Sequence, residues 1–147
     1  MKKINFLLIT FFLIILNNKL FANSNISLQK YLEDKDIENS NTQIYLLNRC
    51  SSIYTYASAV ILKTDPINSK KFIEIANNLL FKSIELRIIE NKEKLEIAKK
   101  KAEEVRKKIF KNYTIDGKKN WDKNKSYFKE SYITQDMLIC SKLVGEK

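Results

Sequence analysis

The chain has 147 residues, a length typical of one domain, and 44% of them are hydrophobic and 30% charged. It contains 2 Gly and 1 Pro, too few for the many turns of a β-sandwich or barrel, which favours a few long helices. It contains 0 His, which excludes Ser-His-Asp and Cys-His catalysis as well as His-ligated zinc and haem.

The N-terminus has the three parts of a secretory signal peptide. Lys2 and Lys3 precede an apolar run over 4–16, and small residues follow at Ala22 and Ser24. The apolar run is shorter than the ~20 residues that span a bilayer. We therefore expect a signal peptide over 1–22, with cleavage after Ala22 or Ser24, and a helical domain over 23–147. The expected location is a bacterial periplasm or the exterior.

The first part of the mature chain is polar and acidic, and it predicts at most a short first helix or a packed arm. A longer helix is expected from about Asn41 to Lys63, capped by Ser40 or Asn41, because apolar residues recur there at spacings of three and four. Asp65 and Pro66 fit the cap and first position of the next helix.

That next helix could continue to about Asn112. It carries an apolar seam whose later part, Leu95–Ile109, is also a candidate homodimer contact. Asn91 interrupts the seam, and a buried register residue, a local break and a solvent-facing turn are all compatible with it.

Asp116 and Gly117 predict a turn within a loop over 112–120. A last helix is expected from Asn120 or Trp121 to Val144, with Gly145 as its stop. The predicted fold is an all-α, single-domain bundle of three or four helices with one long helix.

Two cysteines, Cys50 and Cys140, allow one intramolecular pairing. In an oxidising compartment a disulfide between them is the expected state. It would close a loop of about 90 residues, for which chain entropy predicts about 4–5 kcal/mol of stabilisation. A redox dithiol is the alternative, but such pairs usually lie close together in sequence.

The clearest candidate binding site is a basic stretch with nearby aromatic residues, which indicates an anionic partner. Export argues against nucleic acid, so we expect an anionic membrane or an envelope polymer. The site comprises Lys99, Lys100, Arg106, Lys107, Lys111, Tyr113 and Trp121.

Acidic residues are weaker candidates for chemistry. Glutamates beside lysines suit a solvated face better than the apolar pocket that a general acid needs. A loose acidic group at Asp34, Asp36 and Glu38 matches no metal loop, so we expect no metal and no cofactor. A helical peptidoglycan-type hydrolase would require Glu74, Glu85 or Glu130 buried beside a groove.

These patterns lead to one main hypothesis and two alternatives. The main hypothesis is an exported, non-enzymatic binding or structural module of the cell envelope, whose partner is a protein or an anionic envelope component. The alternatives are an envelope hydrolase and a binder of anionic membranes or polymers through the Lys-rich helix.

Overall fold

The computed structural model describes residues 26–145, which contain five helices and no strand. The predicted signal peptide and both of its cleavage positions lie outside the described residues. The helices are α1 (Leu28–Leu32), α2 (Ser40–Ile61), α3 (Pro66–Ile89), α4 (Leu95–Asn124) and α5 (Tyr132–Val144). The predicted all-α bundle in a single domain is confirmed.

The central element of the bundle is α2, which packs against α3, α4 and α5. Its start is capped by Asn39, whose side chain accepts hydrogen bonds from the backbone N–H groups of Asn41 and Thr42. Its core positions include Cys50, Ile53 and Tyr54, all fully buried. The predicted apolar stripe of this helix is therefore the core of the protein.

Small hydroxyl side chains let α2 approach its neighbours closely. Ser51 donates to the carbonyl of Ala76 on α3 at 2.7 Å, and Ser52 donates to the carbonyl of Arg106 on α4 at 3.1 Å. Each hydroxyl thus satisfies its own hydrogen-bonding capacity inside the interface, where an unpaired polar group would cost free energy.

The helix predicted from Pro66 to about Asn112 is two helices. Asp65 caps α3 as predicted, accepting from the Asn68 N–H at 3.1 Å, and Pro66 is the first helical residue. The chain then turns between Ile89 and Leu95, where Lys92 has φ 55°. A break at Asn91 was one of the open readings, and it lets α4 return along α3.

The long helix of the fold is α4, with 30 residues, and it runs through the loop predicted over 112–120. The turn predicted at Asp116 and Gly117 is wrong, because Gly117 lies inside α4 and serves close packing rather than a turn. A Cβ added there would lie 1.8 Å from the Tyr56 hydroxyl, so glycine is required for α4 to pack against Tyr56. The last helix consequently begins at Tyr132, later than predicted, and ends before Gly145, which has φ 77°.

The seam proposed for a homodimer is largely covered within the chain. Ala98, Ala102 and Ile109 are buried against the rest of the bundle, while Leu95 is exposed. These buried residues pack within the chain, and a homodimer contact through this seam stays a prediction.

Candidate functional site

The most unusual feature of the interior is a buried ion pair between Arg49 on α2 and Asp136 on α5. Both side chains are 0% exposed. Asp136 Oδ2 lies 2.6 Å from one terminal nitrogen of Arg49 and 2.8 Å from Nε. A buried pair of charges persists only when further hydrogen bonds satisfy its remaining atoms, and the neighbouring residues supply them.

Those further hydrogen bonds come from three other parts of the chain. The Tyr113 hydroxyl on α4 donates to Asp136 Oδ2 at 2.6 Å, and the Tyr45 hydroxyl accepts from Arg49 at 2.8 Å. The start of α1 contributes two backbone groups. The carbonyl of Ile26, just before the helix, accepts from Arg49, and the N–H of Leu28, its first residue, donates to Asp136 Oδ1, each at 2.5 Å. The ion pair therefore connects α2, α4, α5 and the start of α1.

The electrostatics of this cluster keep Arg49 charged and Tyr113 neutral. Burial opposes the charge on Arg49, but the oxygens of Tyr113, Asp136 and Tyr45 offset it and raise the guanidinium pKa above its ordinary value. Burial also raises the pKa of Tyr113 well above its ordinary value. Because the cluster is closed to solvent, its ion pair and hydrogen bonds serve to hold these helices together. We call Arg49, Asp136 and their hydrogen-bond partners the clamp.

A disulfide joins the same two helices next to the ion pair. Cys50 and Cys140 are bonded, with 5.3 Å between their Cα atoms, and both are fully buried. The predicted pairing is confirmed. Among the residues that the structure describes there is no free cysteine.

Two shallow grooves of about 590 and 360 Å³ adjoin each other at the corner where α5 begins. Both are lined by Glu130, Ser131 and Tyr132; the larger also reaches Ser27 and Lys30. Tyr132 donates to Asp116 at 2.8 Å, and burial together with this bond raises its pKa. Polar and apolar side chains both line these grooves, which are open to solvent.

The glutamates that a hydrolase would need are all exposed. Glu74 and Glu85 lie on the solvent side of α3. Glu130 borders both grooves, but its side chain is 66% exposed. None of the three lies in the apolar pocket that keeps a catalytic carboxyl protonated.

The residues of the predicted basic site do not all share one surface. Lys99, Lys100, Lys107 and Lys111 are exposed on α4. Arg106 is half-buried and donates to the Asn77 side chain on α3 at 3.2 Å. Tyr113 is buried beside Arg49, so its inclusion in a surface site was wrong.

Trp121 is 41% exposed at the far end of α4 and stacks on Tyr127 with 4.7 Å between ring centroids. Tyr127 belongs to the turn between α4 and α5. Asn120 holds this turn by donating to the carbonyls of Ser126 and Lys129, each at 2.8 Å. Trp121 thus remains on the surface, in a fixed position.

Sequence reasoning missed the ion pair, although two signals were present. Arg49 falls within the apolar stripe of α2, where a charge must find a buried partner. Asp136 lies four residues before Cys140, hence on the same helix face as a cysteine expected to contact α2. Combining the two signals would have predicted the pair.

Within 26–145, no three Cys, Asp or Glu side chains are grouped so that they could hold a metal ion. None of the helices described is both long and apolar enough to cross a membrane. Comparisons with protein-family models, curated protein sequences and solved structures find no match to this chain. The fold and its clamp define the class of the molecule: an all-α bundle closed by a disulfide beside a buried ion pair.

Proposed function

We propose that this protein is exported and serves in the cell envelope as a non-enzymatic binding module. The disulfide between Cys50 and Cys140 is the observation that carries the proposal. Disulfides form and persist in oxidising compartments and are rare in the cytosol. The N-terminal pattern of a basic pair, an apolar run and small residues supplies a route to such a compartment.

The non-enzymatic part of the proposal is supported by where the polar groups lie. The fully buried charged pair, Arg49 and Asp136, is closed to solvent and hydrogen-bonded on both sides. The carboxylates on the surface stand in solvent or beside lysines. The ion pair and the disulfide hold the helices in fixed positions, and the surface is polar. Such a protein is suited to presenting a rigid binding surface to a partner.

An envelope hydrolase remains a second candidate because of Glu130 alone. This residue borders both grooves and has φ 59°, a backbone conformation that non-glycine residues seldom adopt. Purified protein that releases fragments from peptidoglycan, and a Glu130→Gln variant that does not, would establish the hydrolase in place of the binding module.

The binding module is tested by cross-linking in the cells that produce the protein. A photo-activated cross-linker is placed at exposed positions of α3 and α4 in turn, and the envelope fraction is analysed. We expect a discrete cross-linked product from at least one face, and none from a control position on the buried side of α2. Cross-links absent from every exposed position, with the protein present in that fraction, would contradict the proposal.

A further inference from the structure

From its middle towards its C-terminus, α4 presents three lysines in a row to solvent. Lys107, Lys111 and Lys118 are all exposed. At about 100° per residue they lie within about 40° of one another around the helix axis, and Ile109, which faces the core, points the opposite way. They span about 16 Å along the helix. We call this surface the basic face.

Two apolar side chains flank the basic face. Ile115 is 43% exposed and Trp121 is 41% exposed. They lie about 60° to either side of the lysine row around the helix axis. Lysines with long apolar stems between an aliphatic and a tryptophan side chain have the composition of a membrane-interface surface.

Acidic residues are fewer than lysines along the part of α4 that carries the basic face. Glu96, Glu103 and Glu104 are exposed on the N-terminal half. Between Glu104 and Asp122 the one acidic residue is Asp116, which turns towards α5 and accepts from the Tyr132 hydroxyl. Over 107–124 six lysines outnumber two acidic residues, Asp116 and Asp122. Glu103 lies one turn before Lys107 and Asp122 is exposed beside Trp121, so these carboxylates reduce the positive potential of the basic face but do not reverse its sign.

We propose that the basic face docks on an anionic lipid bilayer, with its lysines at the phosphate groups and Ile115 and Trp121 at the headgroup boundary. The charge of the face complements such a surface, and the apolar flanks favour a bilayer over a soluble polyanion, which offers them nothing to contact. This inference rests on the proposed function, because an exported protein meets the outer surface of a membrane.

The test uses the mature, disulfide-bonded protein and two kinds of vesicle. One is phosphatidylcholine alone, and the other contains roughly a third phosphatidylglycerol. The chain contains 1 Trp, so its fluorescence reports on Trp121 directly. We expect co-sedimentation and a blue shift of the emission with the anionic vesicles only, both weakening as salt is added.

Charge-reversal variants locate the contact. The triple substitution Lys107→Glu, Lys111→Glu and Lys118→Glu should lower binding at least about tenfold. The matched control is the triple substitution to Glu at Lys63, Lys70 and Lys82, which are exposed just after α2 and on α3. It changes the net charge equally and should lower binding no more than about threefold. Equal losses for both variants would overturn the proposal, because binding would then follow net charge.

A further variant separates the bilayer from a soluble polyanion. Ile115→Ser should weaken binding to anionic vesicles several-fold without affecting folding, since the side chain is half exposed. Binding of inorganic polyphosphate but of neither vesicle would overturn the bilayer proposal. Such a result, or equal binding to both vesicles, leaves the proposed export and envelope role standing, since these rest on the disulfide and are tested by cross-linking in cells.

Discussion

Asp136 lies one helical turn before Cys140 on α5, and the two residues are bonded to two consecutive residues of α2. Asp136 binds Arg49 as an ion pair, and Cys140 is bonded to Cys50. A charged contact and a covalent contact thus secure the same crossing of the two helices. Helix α5 also packs against α1, so these two bonds fix its crossing with α2 in particular.

Removing the disulfide should destabilise the protein without changing its fold. The sequence separation of 90 between the cysteines gives about 4–5 kcal/mol in the chain-entropy model. We expect the double substitution Cys50→Ala and Cys140→Ala to lose a large part of this in urea unfolding, with the helical circular dichroism signal retained. An unchanged free energy of unfolding would mean that the disulfide does not constrain the unfolded chain.

The ion pair should behave as a coupled unit. Asp136→Asn or Arg49→Met alone leaves one buried charge without its partner, which costs about 3–5 kcal/mol. The double variant should lose clearly less than the sum, with a coupling of about 1–3 kcal/mol. Unfolding of all four proteins in urea gives this coupling, and additive losses would show that the two charges act independently.

The effects of substitutions at Gly117 and Tyr56 on the free energy of unfolding should also be coupled. Gly117→Ala would normally favour a helix by about 1 kcal/mol, but here the new methyl group meets the Tyr56 hydroxyl. We expect net destabilisation. Tyr56→Phe should relieve part of it, since the ring carbon at 2.7 Å from the added Cβ remains. If Gly117→Ala stabilised the protein that retains Tyr56, this packing would be contradicted.

Two buried tyrosines, Tyr56 and Tyr113, and the partly buried Tyr132 predict loss of stability in alkali. Burial raises the pKa of Tyr56 from 10.0 to about 12, and it also raises the pKa values of Tyr113 and Tyr132. The unfolded chain therefore releases these protons first as the pH increases. The stabilisation is complete below pH 10 and, for Tyr56, is lost as the pH rises towards 12, on the order of 3 kcal/mol.

Urea unfolding at increasing pH checks the tyrosine prediction, with Tyr56→Phe as the control. That variant should show a shallower loss of stability above pH 10, because phenylalanine has no proton to release. Parallel pH profiles for the two proteins would exclude Tyr56 as a contributor.

Much of the fold could be predicted from local patterns. The apolar spacing of α2, the Asp65–Pro66 start of α3 and the Gly145 stop depend on neighbouring residues, and all three are confirmed. The Cys50–Cys140 bond could be predicted because two cysteines permit one pairing. These features need no knowledge of how the helices are arranged in space.

The failures came from contacts between distant residues. Asp116 and Gly117 have the composition of a turn, and only the position of Tyr56 requires that glycine inside a helix. Tyr113 lies among lysines in the sequence, yet its side chain points towards Arg49, 64 residues earlier. Local composition cannot distinguish a surface tyrosine from one that completes a buried ion pair, because the difference lies in the partner helix.

The central claim, that the protein is exported and oxidised, is tested most directly on the protein recovered from its own cells. Mass spectrometry of the intact chain, before and after reduction with thiol alkylation, gives both the N-terminal residue and the number of free thiols. We predict a chain that begins at Asn23 or Asn25 with no free thiol and two after reduction. A chain that begins at Met1 and carries Cys50 and Cys140 as free thiols would contradict the account.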